Sequence, residues 1–117
     1  MRRGKIFRVR KPPGGDPKKV RFFVVVSRPA LIASRWSSVI CAPIYSHYDG
    51  LATQVTVGPD EGLVHDSSIH CDALVSIQKT RLTDFVSMLS PVKLVALNKA
   101  LAFALHLDID EATDGFP

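Results

Sequence analysis

Apolar residues in this chain fall into short runs separated by dense turn signals, and only one stretch repeats with helical spacing. Val20-Arg21-Phe22-Phe23-Val24-Val25-Val26-Ser27 and Ser38-Val39-Ile40-Cys41-Ala42-Pro43-Ile44-Tyr45-Ser46 are rich in β-branched and aromatic residues and bounded by polar ones. Runs of that length and make-up predict buried strands, here over 20–27 and 38–45. The segment 4–10 predicts a first strand, and Pro12-Pro13-Gly14-Gly15-Asp16-Pro17 predicts the loop that follows it. Residues 28–37 read as a crossing loop with a helical turn at 30–33, and His47-Tyr48-Asp49-Gly50 as a turn. A fourth strand is expected over 53–57, stopped by Gly58-Pro59-Asp60-Glu61-Gly62. The segments 68–71 and 74–77 read as a fifth strand, in one piece or two, while 84–89 suits either a last strand or a helical turn.

Ser90-Pro91 combines an N-cap serine with proline at the first helical position. Leu94, Leu97, Ala100, Leu101, Ala104 and Leu105 then recur at spacings of three and four, predicting an amphipathic helix over 91–106. Five or six short strands followed by one helix make a mainly β protein: a small, bent antiparallel sheet or partly open barrel covered by a C-terminal helix. The 117 residues suit one domain. The expected division is a folded unit over 1–107 and an acidic, fraying tail over 108–117.

No apolar run is long enough to span a bilayer, and Met1-Arg2-Arg3-Gly4 leads into no signal-like apolar region, so a cytoplasmic protein is expected. Cys41 and Cys71 fit that address as buried thiols, with a disulfide as the minor alternative. Charge is uneven: nine basic residues stand against one acid up to Arg21, whereas the last ten residues hold four acids and no base. A basic sheet edge suits a polyanion, nucleic acid being the usual one, or simply a solvated hairpin. If the strands at 20–27 and 38–45 pair antiparallel, Arg21 comes beside Tyr45 and Ser46, a cation with two hydroxyls suited to a phosphate. His70 and Asp72, on one face of a continuous strand, could divide acid and base roles. His47, His65 and His70 with two cysteines invite a metal reading, but no C-x-x-C or H-x-x-x-H spacing occurs, and neither metal nor other cofactor is expected.

In order along the chain, Arg3-Gly4-Lys5-Ile6-Phe7, Val20 to Ser27, Val39 to Ser46, Thr53-Gln54-Val55 and Asp66 to Asp72 resemble successive segments of the MazF/PemK-type toxins. Lys79-Thr80-Arg81-Leu82, Leu89-Ser90-Pro91 and Leu97 to Leu101 are similar to that family's closing pattern, so the resemblance spans 3–107. It departs at Lys5 for an acid, Phe22 for proline, Tyr45 for threonine and Ala73-Leu74-Val75 for a Gln-Ile-Arg triplet. The resemblance implies a small SH3-like antiparallel barrel of the CcdB/PemK type. It also implies a homodimer, a cognate antitoxin with an acidic C-terminal segment, and metal-independent cleavage of single-stranded RNA by 2′-OH attack.

On that basis Arg21, His70, Asp72 and Ser46 are the expected catalytic residues. Tyr45, His47, Thr53, Arg8, Arg10, Lys18 and Lys19 are expected to hold RNA, with the basic residues also receiving the antitoxin segment. A non-catalytic toxin of the CcdB type that binds DNA gyrase, or an inactive partner-binding barrel, are the alternatives.

Overall fold

The structure, a computed structural model, describes residues 1–10 and 20–107. Among the described residues seven strands are formed: β1 (Lys5–Arg10), β2 (Val20–Val25), β3 (Ser38–Tyr45), β4 (Gln54–Val57), β5 (Ser67–His70), β6 (Val75–Gln78) and β7 (Asp84–Met88). The described residues also form two helices, α1 (Pro29–Ala33) and α2 (Pro91–Ala104), and three single 3₁₀ turns. The strands pair antiparallel in the order β4-β5-β3-β2-β1-β7, with β6 also on β3. The sheet curls into a half-barrel. Across the gap between its end strands, the Ser87 hydroxyl on β7 donates to the carbonyl of Glu61, in the turn after β4.

Two apolar clusters occupy opposite faces, as period-2 alternation requires. One gathers Ile6, Val24, Ala42, Ile44, Val55 and Ile69 under Leu97, Ala100 and Leu101 of α2. The other holds Phe7, Val9, Phe23, Val25, Val39, Cys41 and Ile77. Helix α2 starts where expected: the Ser90 hydroxyl accepts from the Lys93 N–H at 3.2 Å and Pro91 follows. It ends at Ala104, two residues earlier than its apolar repeat suggested. Its apolar surface is wider than one core stripe, since Val92, Val95 and Phe103 are exposed.

The expected fifth strand is two strands. Ile44 of β3 faces Ile69 of β5, and Cys41 of β3 faces Val75 of β6. Two residues separate the partners on β3 and five separate them on the other side. The three surplus residues, Cys71–Ala73, leave the ladder as a 3₁₀ turn. An odd surplus also reverses the alternation, so Ile69 enters one core and Ile77 the other. His70 and Asp72 therefore do not share the face of a continuous strand. Residues 84–88 resolve as a strand, and both cysteines are free and buried. The tail over 108–117 and the loop with Lys18 and Lys19 lie outside the described residues.

Candidate functional site

At the start of β2, beside the end of β3, the face that carries Phe23 and Val25 turns polar. Arg21 is two residues before Phe23 and so shares its face. Its guanidinium lies over the Tyr45 ring at 4.5 Å from the centroid. Among the described residues no carboxylate forms an ion pair with Arg21. Its charge is stacked and positioned and, among the described residues, not neutralised, a state suited to an incoming anion.

Tyr45 belongs to a cluster of three rings. Its centroid lies 4.6 Å from His70, edge to face, and 5.8 Å from His47, while His47 and His70 are 5.0 Å apart. The register explains the grouping: Tyr45 faces Ser68 and Gln54 faces His70, so β3, β4 and β5 contribute to one face. Ser46 continues from Tyr45 and, with Ser67, lines two adjoining cavities of about 380 and 580 Å³. The smaller cavity is also lined by Arg21, Tyr45 and His65.

The hydrogen bonds orient the His70 ring. The buried Ser68 hydroxyl donates its one hydrogen to the His47 carbonyl at 2.5 Å. Its 2.8 Å contact with His70 Nε2 is then a bond donated by the ring N–H. Nδ1 is left as an acceptor, facing the Gln54 amide nitrogen at 3.4 Å. Asp49 fixes that amide by donating its backbone N–H to Oε1 at 2.9 Å and accepting from Nε2 at 3.0 Å. This network points the His70 Nε2–H at buried Ser68 and Nδ1 at Gln54.

Asp72, in the 3₁₀ turn, is bound elsewhere: the buried Thr53 hydroxyl donates to its carboxylate at 2.7 Å. The paired placement of His70 and Asp72 expected from the sequence is thus replaced by two separate hydrogen-bonded units. Arg8 is also displaced from the expected basic groove. It faces Phe22 across the β1–β2 ladder, whereas Arg21 faces Val9, so the two arginines lie on opposite faces. Arg8 binds Asp84 through Nε at 2.7 Å, and Arg10 alternates onto the same face as Arg8. His47 is exposed and contacts Asp49 at 3.4 Å.

Sequence reasoning missed Gln54, Ser68 and Asp49. Only Ser68 carried a local signal, sitting two residues before His70 on the same strand face. The thiols take no part: burial raises Cys41 to about 12, and burial followed by the Asp72 charge raises Cys71 to about 11.

The fold is a small, mainly β protein: a curled antiparallel half-barrel with an arginine stacked on an aromatic ring beside a hydroxyl-lined cleft. The chain belongs to the PemK-like, MazF-like toxins of type II toxin–antitoxin systems, whose family model matches residues 2–105. Among curated proteins none matches. Among solved structures the Mycobacterium tuberculosis toxin MazF-mt6 is 27% identical, with TM-score 0.75, over 89% of this chain and 98% of that one. An endoribonuclease in complex with its cognate antitoxin, from a mycobacterial species, is 24% identical with TM-score 0.77, covering 90% and 94%. MazF from Deinococcus radiodurans, at 18% identity and TM-score 0.71 over 90% and 96%, shares the fold.

Proposed function

We propose that this toxin is a cytoplasmic endoribonuclease that cuts single-stranded RNA, needs no metal, and arrests translation and growth. The observation that carries the reading is the Arg21 guanidinium on the Tyr45 ring, without an ion-pair partner among the described residues. In the proposed reaction the ribose 2′-OH attacks the adjacent phosphorus and the P–O5′ bond breaks. The 2′ proton passes to solvent and the departing O5′ takes one up. The products are a 2′,3′-cyclic phosphate and a 5′-OH end. Arg21 grips the non-bridging oxygens and stabilises the charge of the pentacoordinate transition state, and the Ser46 hydroxyl adds a bond to phosphate. Tyr45 holds Arg21 in place and offers an edge of aromatic surface to a base.

His70 is a positioning residue in this reading, because its N–H is committed to Ser68 rather than to a leaving group. Asp72, with one carboxylate oxygen bonded to Thr53, fits orientation of the β5 turn better than proton transfer alongside His70. The antitoxin is expected to lay an acidic segment over Arg21 and the cleft beside it, neutralising the charge and excluding RNA. A homodimer is expected because exposed Val92, Val95 and Phe103 leave α2 an apolar outer surface.

The test is incubation of purified protein with a long RNA in EDTA, followed by end-group analysis. Cyclic phosphate and 5′-OH ends, absent with Arg21→Ala, support the reading. Intact RNA together with inhibition of DNA gyrase would replace it by the CcdB-type alternative.

A further inference from the structure

His47, Asp49 and His70 bring one ligand atom each to within 4.8 Å of one another. We propose that these three side chains bind a single transition-metal dication of the zinc class, and that the bound ion suppresses RNA cleavage. The suppressive part rests on the function proposed above; the binding part does not.

Three features of the geometry carry the site. His47 Nε2 already lies 3.4 Å from Asp49 Oδ2, close to the roughly 3.3 Å that separates neighbouring ligands in a tetrahedral zinc centre with bonds near 2.0–2.1 Å. His70 presents Nδ1 as a lone pair while its other nitrogen donates to Ser68 Oγ at 2.8 Å, the outer-shell bond that ordinarily fixes a ligating imidazole. The Gln54 amide nitrogen stands between Asp49 and His70, donating to Asp49 Oδ2 at 3.0 Å and facing His70 Nδ1 at 3.4 Å. That NH₂ group occupies the place of a cation. Rotation of the Gln54 side chain would free one carboxylate oxygen and one imidazole nitrogen together.

Two imidazoles and one carboxylate select a borderline-soft ion over magnesium or calcium. Three protein ligands leave a position open, so the site suits reversible loading. His47 and Asp49 are exposed on the segment after β3 and can close on His70, which β5 holds. Sequence spacing hid the site because His70 arrives from a different strand. Ligation would draw both imidazoles away from Tyr45, which they now contact, and so disturb the platform under Arg21. The open position would also compete with Arg21 for phosphate.

Zinc chloride is titrated calorimetrically into tag-free protein, alongside His47→Gln and Asp49→Asn. Both are exposed substitutions whose folding is checked by circular dichroism. One equivalent per chain, weakened about tenfold or more by either change and not displaced by excess magnesium, supports the site. Equal zinc affinity in wild type and both variants, or no binding, overturns it. In parallel, zinc should slow RNA cleavage about tenfold or more in wild type and not in Asp49→Asn. Unchanged or faster cleavage with zinc bound overturns the suppressive role while leaving the binding result to stand. A wild type inactive in EDTA would instead refute the proposed function, and the calorimetry would still decide the site.

Discussion

The stacking of Arg21 on Tyr45 makes a quantitative statement about how the two residues act together. Removing Arg21 deletes the transition-state contact, worth about 2.7–4 kcal/mol by analogy with one oxyanion donor, so Arg21→Ala should slow cleavage roughly 100- to 1000-fold. Tyr45→Ala leaves the guanidinium without its platform. At 4.5 Å from the ring centroid, the lost cation–π contact is worth about 0.5–1 kcal/mol in a partly exposed setting. A freed arginine side chain must in addition be ordered again in the transition state, at about 1.5–2 kcal/mol. The sum, about 2–3 kcal/mol, predicts a roughly 30- to 150-fold loss, every part of which depends on Arg21 being present. In the Arg21→Ala background Tyr45→Ala should therefore change the rate less than about threefold, and the cycle should show a coupling near 2 kcal/mol. Tyr45→Phe keeps the ring and should stay near wild type. The assay is single-turnover cleavage of a short RNA at saturating protein, which removes the contribution of base stacking to binding. Equal losses from Tyr45→Ala in both backgrounds would refute the platform argument. So would a Tyr45→Phe enzyme as slow as Tyr45→Ala, because the hydroxyl would then be the working group.

Ser68→Ala should lower stability by about 1–3 kcal/mol, because a buried hydroxyl bridging His47 and His70 is lost; denaturant unfolding measures it, and nitrogen NMR of His70 should lose the single Nε2–H signature expected of wild type. Gly4→Ala should cost at least about 1 kcal/mol by thermal unfolding, since Gly4 has φ +93° and an added Cβ would lie 2.6 Å from Leu94 Cδ2. Breaking Arg8–Asp84 with Asp84→Asn should change stability by only about 0–1 kcal/mol, because the side chains are still 41% and 43% exposed to solvent; a larger loss would mean that the pair holds β7 on β1. Cys41, raised to about 12, binds its proton more tightly folded than unfolded. Its contribution is complete below the unfolded thiol value and declines as pH rises from about 9 towards 12, with a slope of up to about 1.4 kcal/mol per pH unit. Relative to Cys41→Ala, wild-type stability should fall over that range, and a flat difference would contradict the burial argument.

Local pattern alone determined most of the strand set. β-branched runs placed β2 and β3, the Gly58-Pro59 stop ended β4, and Ser90-Pro91 set the first residue of α2, because propensity, turn chemistry and capping act over a few neighbouring residues. Arg21 and Tyr45 were also legible, since antiparallel pairing of two recognisable strands brings the start of one beside the end of the other. The break at Cys71–Ala73 was left open, since the local pattern over 68–71 and 74–77 allowed one strand or two. It follows from β3 pairing with β5 along one half and with β6 along the other, a condition set by the length of a distant strand. That break separated Asp72 from His70, and the ladder register put Arg8 on the face away from Arg21. The tertiary structure alone joined His70 to Ser68, Gln54 and His47. Contacts between strands depend on register, and a shift of one residue would send every one of those side chains to the other face.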